Sequence, residues 1–221
     1  MSSAAQGGAS AGRAPQVQLR QLFPTPIALF ELPDAAPINE ALEARVFARE
    51  KEVPSVRRSN WGGWQSPDDL PKWCGPEGEK VLAAAQGLAG QLTSDREGRR
   101  INPTWRMNAW ANVNRHGQGN EFHTHPGAFW SATYYVRDGG VADDPSLGGE
   151  FEIQDPRGIA PAMLAPLIAF AMPGGQSAGA SELIRPRAGL LVLFPSWLSH
   201  GVRPYAGSDV RISIALNLTP A

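Results

Sequence analysis

The segment Val210–Leu218, VRISIALNL, alternates strictly between apolar residues and other residues. Successive side chains of a β-strand point to opposite faces, so one face of this strand is wholly apolar. The apolar face carries Val210, Ile212, Ile214, Leu216 and Leu218, and the other face carries Arg211, Ser213, Ala215 and Asn217. We therefore predict a strand of an antiparallel sheet whose apolar face packs against a second layer, which we expect to be helical.

Alternating apolar residues also occur in other segments of the chain. Most of these segments follow two stretches in which apolar residues are spaced as in a helix. Apolar residues recur at helical intervals at Ile38, Leu42 and Val46, and again at Val81, Ala85, Leu88 and Leu92. Further strands are predicted at Leu22–Phe30, Trp105–Val113, Ala128–Val136, Glu150–Gln154 and Gly189–Phe194. The fold class that follows is mainly β: a double-stranded β-helix core (a cupin-like jelly roll) backed by two or more α-helices at the N-terminal side.

The length of 221 residues suits a single domain. The first 17 residues, MSSAAQGGASAGRAPQV, are small and polar, and we expect them to form a disordered tail. Residues 18–221 are then one domain, with a helical layer at about 35–97 and a β-core at about 104–219. No internal repeat interrupts it.

Composition excludes several classes of partner. A formal net charge of −1 offers no field for nucleic acid or for an anionic membrane. The longest apolar runs are too short to span a bilayer, and no signal peptide is recognisable. Cys74 is the only cysteine, so no internal disulfide can form. We expect a cytoplasmic protein with no nucleic-acid and no membrane partner, compatible with a homodimer.

Three histidines form the candidate metal site. His123 and His125 are separated by one residue, and on a strand both rings would lie on the same face. His200 follows a strand and a turn, where a returning hairpin would bring it opposite the pair. Three imidazoles that converge would suit iron. His116, beside Gly117 in a turn-like stretch, reads as structural.

Arg211 and Ser213 form a candidate anion site on the polar face of the last strand. A guanidinium inside a small barrel is costly unless an anion lies beside it. Arg211 can bind a carboxylate through two parallel hydrogen bonds, and Ser213 can add a third. The alternative is that this face is exposed to solvent at an open sheet edge.

An ordered series of short motifs resembles a known family. The series is LFPTPI (22–27), GGWQS (62–66), WANV (110–113), HTHP (123–126), SATYY (131–135), DPR (155–157), FPSWLxH (194–200) and RIS (211–213). In this order, from about residue 20 to residue 219, they resemble the signature blocks of a 2-oxoglutarate/Fe(II) oxygenase family, a largely uncharacterised bacterial and phage branch of that superfamily.

This resemblance implies a double-stranded β-helix fold that uses Fe(II), 2-oxoglutarate and O2. It implies that His200 is the distal iron ligand and that Arg211 binds the far carboxylate of 2-oxoglutarate. Asn112 and Tyr135, within the matching motifs, are further candidates for binding this cosubstrate together with Ser213. The implied function is a dioxygenase that hydroxylates an unactivated C–H bond of a small molecule or peptide, with release of succinate and CO2.

His125 departs from the superfamily pattern, which places Asp or Glu two residues after the first histidine. Our first interpretation is a metal held by His123, His125 and His200. In a second, Glu121, Glu150 or Asp155 supplies a carboxylate, and one of the paired histidines supports the ligands from outside. Two other functions stay open: a three-histidine cupin-type dioxygenase that does not use 2-oxoglutarate, or a non-catalytic metal- or ligand-binding barrel.

Two segments are candidates for a substrate lid. Asp155–Arg187 is long, rich in Pro, Gly and Ala, and has little periodicity, which in a compact domain is typical of a functional loop. The loop Gly62–Ser66 is the second candidate.

Overall fold

A computed structural model of the protein describes residues 22–158, 167 and 181–221. The predicted tail lies outside these residues, as does most of the Asp155–Arg187 segment. The described residues form two α-helices, α1 (Ala35–Glu52) and α2 (Gly75–Gln91). Its strands are β1 (Ala28–Glu31), β2 (Asn60–Trp61), β3 (Trp64–Gln65), β4 (Trp105–Asn114), β5 (Gln118–His123), β6 (Trp130–Arg137), β7 (Phe151–Gln154), β8 (Ser181–Ile184), β9 (Leu190–Pro195), β10 (His200–Tyr205) and β11 (Arg211–Pro220).

The strands form two antiparallel sheets. The larger sheet has the order β1-β9-β6-β11-β4-β3, and the smaller has the order β2-β5-β10-β7-β8. The predicted fold class, a double-stranded β-helix backed by N-terminal helices, is confirmed. Five of the predicted strands are present with their ends moved by no more than two residues. The first is shorter than predicted, because only Ala28–Glu31 pairs with β9. Pro24 and Pro26, which have no N–H to donate, precede this pairing.

The helices cover the outer face of the larger sheet. Ile38, Leu42 and Val46 of α1 are buried in one apolar cluster with Ile212 and Ile214 of β11. The strand alternation therefore identified the correct face. The helical pattern in α2 extends one residue too far, because Leu92 follows the last helical residue and is exposed. Among the described residues, no helix is long and apolar enough to cross a membrane.

The inner face of the larger sheet faces the smaller sheet. A second apolar cluster between them includes Tyr135, Phe151 and Phe194. β11 lies inside the larger sheet, between β6 and β4, so its polar face is not an open edge. Arg211 and Ser213 are both buried there, which makes the solvent-exposed interpretation of this face wrong.

Candidate metal centre and anion pocket

Three imidazoles converge between the sheets. One ligand nitrogen from each of His123, His125 and His200 lies within 4.8 Å of the others. His200, the first residue of β10, is the direct cross-strand partner of His123, the last residue of β5. The ring centroids of this pair are 4.4 Å apart, and the ring of His125 lies 4.9 Å from that of His123. A returning strand thus brings His200 opposite the pair, as the sequence predicts.

Backbone carbonyls fix which ring nitrogens face the centre. His123 Nδ1 lies 2.8 Å from the carbonyl oxygen of Glu121, and His200 Nδ1 lies 2.8 Å from that of Leu198. A neutral imidazole that donates through Nδ1–H keeps its lone pair on Nε2, which is the form that binds a metal. Ser59 Oγ lies 3.4 Å from His123 Nε2. Both rings are therefore oriented before any metal arrives.

His125 reaches the centre from a loop rather than from a strand. β5 ends at His123, so the expectation that both histidines share one strand is wrong. The turn is held instead by the backbone N–H of His125, which donates to the carbonyl of Ser196 at 2.9 Å. The ring of His125 also lies 5.6 Å from that of Trp110 on β4. The convergence of the pair thus depends on tertiary contacts, not on strand period alone.

Burial keeps the three histidines neutral. His200 packs against the rings of Phe151 and Phe194, at centroid distances of 5.2 and 4.6 Å. Desolvation there, with a smaller contribution from the neighbouring histidines, lowers the pKa of His200 to about 3. Desolvation and the nearby His123 lower the pKa of His125 to about 4. Desolvation also lowers the pKa of His123. At neutral pH all three offer unprotonated nitrogen, as metal binding requires.

The metal-free protein is expected to lose stability in acid through these histidines. Between pH 6.5, the usual histidine pKa, and the lowered values in the folded state, the unfolded chain binds more protons than the folded chain. The free energy of unfolding should therefore fall as the pH drops from about 6.5 towards 3 to 4. Urea unfolding of metal-free protein at a series of pH values measures this.

His200→Gln should flatten that pH dependence, whereas His116→Ala should leave it unchanged. His116 is exposed, hydrogen-bonds through Nδ1 to the carbonyl of Ala206 at 2.9 Å, and lies outside the cluster. An equal acid slope in wild type and His200→Gln would contradict the expectation.

No carboxylate belongs to the cluster among the residues that the structure describes. Glu121 contributes its backbone carbonyl to His123 rather than its side chain. Asp155 accepts hydrogen bonds from Arg157, at 2.9 Å from Nε and 2.7 Å from Nη2. Glu150 is buried and its Oε2 has no hydrogen-bond partner, yet it is not one of the clustered ligand groups. The geometry therefore favours three histidines over a carboxylate from these positions.

Arg211 is a buried cation that forms no close ion pair among the described residues, although the carboxylate of Asp138 acts on it from a greater distance. Its side chain is 1% exposed. Its Nη1 donates to Asn114 Oδ1 at 3.1 Å, and its guanidinium carbon lies 5.1 Å from the centre of the Tyr135 ring. Burial lowers the pKa of Arg211, although arginine is basic enough to stay charged. A buried charge without a counterion is expensive, so this position is suited to an anion.

Two orphaned donors beside each other fit a carboxylate. Arg211 Nε and Tyr135 Oη are both buried and lack a hydrogen-bond partner. Burial raises the pKa of Tyr135, which keeps its hydroxyl protonated and able to donate. Gly149 leaves room at this point, because a Cβ there would lie 3.4 Å from Arg211 Cδ. These atoms fit the distal carboxylate of 2-oxoglutarate.

Ser213 on β11 and Asn112 on β4 are cross-strand partners. They lie two residues along these strands from the pair of Arg211 and Asn114. Both are buried, as the sequence-based assignment to the cosubstrate requires. The unpartnered atom of Asn112 is Oδ1, an acceptor that a carboxylate would not satisfy. Asn112 would bind the cosubstrate through its NH2 group, which requires the amide to be turned about its last bond.

A cavity of about 870 Å³ opens beside the histidines. Its lining includes Trp110 and Asn217, which the sequence did not single out as site residues. Strand alternation could have found both, since Trp110 and Asn217 share their faces with Asn112 and Arg211. Gln65 and Ser66 of the predicted lid loop also line the cavity, whereas Trp64 of that loop is buried in the helix-facing core.

Two facing antiparallel sheets with three convergent imidazoles between them define a double-stranded β-helix with a candidate metal centre. Residues 108–217 match the model of a family described as "Putative 2OG-Fe(II) oxygenase". The β-core of the chain thus matches a 2-oxoglutarate/Fe(II) oxygenase family, as its ordered motifs predict. It matches none of the curated proteins with which it was compared.

Solved structures of 2-oxoglutarate oxygenases share the fold. A prolyl-4-hydroxylase from Pseudomonas putida superposes with a TM-score of 0.60 at 18% identity, over 89% of this chain and 94% of that one. HygX from Streptomyces hygroscopicus, with nickel, 2-oxoglutarate and hygromycin B bound, gives 0.58 at 13% identity, over 89% and 84%. A prolyl hydroxylase from Trichoplax adhaerens gives 0.59 at 13%, over 88% and 83%. At these identities the similarity establishes the fold alone.

Proposed function

We propose that this protein is an Fe(II)- and 2-oxoglutarate-dependent dioxygenase that hydroxylates an unactivated C–H bond of a small molecule or peptide. The observation that supports this best is that the histidine cluster and Arg211 lie next to the same apolar cluster between the two sheets. The histidine cluster brings together three neutral imidazoles. Arg211 lies against Tyr135, which belongs to the same apolar cluster as the two phenylalanines beside His200.

Each residue then has a defined task. His123, His125 and His200 hold Fe(II) through nitrogens that are already unprotonated. Arg211 and Tyr135 bind the distal carboxylate of 2-oxoglutarate, and Ser213 and Asn112 bind along its length. Phe151 and Phe194 exclude water around His200. When bound, the iron and its keto-acid cosubstrate supply the oxidation by O2 that yields succinate, CO2 and a hydroxylated product.

Anaerobic titration with Fe(II) and 2-oxoglutarate tests the proposal. Chelation of the keto acid at the metal should produce a visible charge-transfer band that neither component gives with the protein alone. On admission of O2, succinate should appear, because these enzymes decarboxylate their cosubstrate slowly even without substrate. The absence of both the band and succinate would refute the assignment of 2-oxoglutarate.

The three-histidine ligand set favours one second candidate. A dioxygenase that binds its substrate directly to iron would need no 2-oxoglutarate, and Arg211 would then hold an anionic substrate. Neutral ligands in place of a carboxylate leave the iron with one more positive charge. O2 consumption without succinate release would support this candidate.

A further inference from the structure

Ser59 places a hydroxyl against the metal-facing nitrogen of His123. Its Oγ lies 3.4 Å from His123 Nε2, within hydrogen-bond distance. Nδ1 of the same ring lies 2.8 Å from the carbonyl oxygen of Glu121, and because a carbonyl can only accept, Nδ1 carries the proton. Nε2 of the neutral ring then carries a lone pair and accepts from the Ser59 hydroxyl. In the metal-free protein this hydroxyl uses the lone pair that a metal would need.

The backbone of Glu121 holds the hydroxyl and the imidazole together. Its carbonyl orients the ring of His123, and its N–H donates to the carbonyl of Ser59 at 2.8 Å. Directly after Ser59, Asn60 of β2 is the cross-strand partner of Asn120 of β5. The pairing of these two strands therefore sets the distance between Ser59 and His123.

A metal on His123 Nε2 would remove the only hydrogen-bond partner of the Ser59 hydroxyl. Ser59 makes no other side-chain hydrogen bond to the described residues. The neighbouring histidines offer no substitute acceptor, because their lone pairs would also be used by the metal. Ser59 is half-buried, and a half-buried donor without an acceptor is costly. A new acceptor can come from a molecule in the cavity, which Ser59 lines together with His123 and His125.

The Ser59 hydroxyl is close enough to serve such a molecule. Atoms that bind one metal at about 2.1 Å lie about 3 Å from one another. Ser59 Oγ is 3.4 Å from one of the ligand atoms, so it is within hydrogen-bond reach of a neighbouring coordination position. A small anion bound there would receive a hydrogen bond from a neutral donor. Such bonds are stronger than those between two neutral groups.

We propose that Ser59 is a positioning residue of the metal centre and that it changes partner when the metal binds. In the metal-free protein its hydroxyl donates to Nε2 of His123. After metal binding it donates to a carboxylate or other small anion that binds beside His123 at the metal. This donor is therefore free for such a ligand only once the metal is in place. The inference rests on the three-histidine metal centre of the proposed function, but not on the use of 2-oxoglutarate.

The test uses the full chain loaded with Co(II), with azide as the probe anion. Ser59→Ala removes the competitor for Nε2, so the Co(II) affinity should rise about two- to five-fold in competition with a chromophoric chelator. The affinity of the loaded protein for azide, read from the visible spectrum of Co(II), should fall about ten-fold, because a hydrogen bond to an anion is lost. Ser59→Thr, which keeps the hydroxyl, should match wild type in both measurements.

Ser199→Ala is the matched control. Ser199 precedes the ligand His200 in the chain, but its hydroxyl donates to Gln154 Oε1 at 2.7 Å. Its removal should leave both affinities unchanged. A serine with a structural role alone would weaken Co(II) binding and azide binding together when replaced, so the opposite signs expected for Ser59→Ala distinguish the exchange of partners.

Two results would overturn the inference: azide affinity equal in wild type and Ser59→Ala, or weaker Co(II) binding by that variant. Neither measurement involves 2-oxoglutarate, whereas the oxygenase proposal depends on the charge-transfer band and on succinate. If the band never forms and both affinities change as expected, the oxygenase proposal fails and the role of Ser59 stands. If the band forms and the affinities do not change, the reverse holds. Wild type that binds no Co(II) would refute both.

Discussion

Arg211→Met is expected to weaken 2-oxoglutarate binding strongly while raising the stability of the unliganded protein. The guanidinium is fully buried, and its Nε has no partner. Removing one member of a buried, hydrogen-bonded charge pair costs about 2–5 kcal/mol. The Kd for 2-oxoglutarate should therefore rise by a factor of about 30 to several thousand. Anaerobic titration of the Fe(II) protein, read by the charge-transfer band, measures the change.

Although Arg211→Met should weaken cosubstrate binding, it should raise the stability of the unliganded protein. An uncompensated buried ion costs several kcal/mol, and methionine fills a similar volume without a charge. The variant leaves Asn114 Oδ1 without its donor, which costs about 1–3 kcal/mol. The first effect is the larger, so the melting temperature of the unliganded protein should rise. A residue that served only for packing would not combine higher stability of the variant with lost affinity.

Arg187→Met is the matched control for charge. Arg187 is exposed and forms an ion pair with Glu31 at 2.6 Å. Its replacement should change neither the affinity for 2-oxoglutarate nor the melting temperature by much, since exposed ion pairs contribute about 0–1 kcal/mol. Retention of wild-type 2-oxoglutarate affinity by Arg211→Met would show that the buried guanidinium serves another purpose.

His200→Ala is expected to eliminate metal binding. His200 is 4% exposed and is oriented by the Leu198 carbonyl, and no further ligand group belongs to the cluster among the described residues, so no side chain is placed to replace it. Loss of a group that merely supports a ligand weakens metal binding about 10- to 100-fold, so loss of the ligand itself should exceed 100-fold. Competition between the protein and a chromophoric chelator for Co(II) or Fe(II) gives the affinity. His116→Ala, which changes the fourth histidine of the chain, should bind as wild type.

Substitution of His125 distinguishes between the two candidate sets of metal ligands, three histidines or histidines with a carboxylate. If three histidines hold the metal, His125→Ala should weaken binding as strongly as His200→Ala, and His125→Asp should restore it by supplying a carboxylate at the same point. If Glu121, Glu150 or Asp155 were a ligand, His125→Ala would keep most of the affinity. The second result would contradict the arrangement of the cluster in the structure.

Much of the fold could be read from local patterns. The alternation in β11 and β4 assigned each side chain to the correct face, because strand geometry requires it. The spacing of Ile38, Leu42 and Val46 identified the buried side of α1 for the same kind of reason. Local patterns failed at the ends of elements. Leu92 continues the apolar spacing of α2 but follows its last turn, where packing against the sheet no longer holds it.

The site was less fully determined by the sequence. The three histidines that the sequence predicts as metal ligands do converge, and the predicted anion-binding residues Arg211 and Ser213 are buried, as their places on the strands indicated. Trp110 and Asn217 were not identified as site residues, because an indole or an amide in a strand is usually a structural residue. Only the cavity marks them as unusual.

The sequence by itself determined the fold class, the match to the oxygenase family and the three histidines that could hold a metal. The fold class follows from periodicity, and the family match and the histidines follow from short motifs, which are local properties. Only the tertiary structure decided that His125 joins the cluster from outside β5 and that no carboxylate among the described residues does. It also decided that the Nε of the buried Arg211 has no hydrogen-bond partner there. Such facts depend on which distant segments meet, through pairings such as β5 with β10 and the contact of His125 with Ser196. The chain cannot encode them in any single stretch, because they arise from the packing of the two sheets against each other.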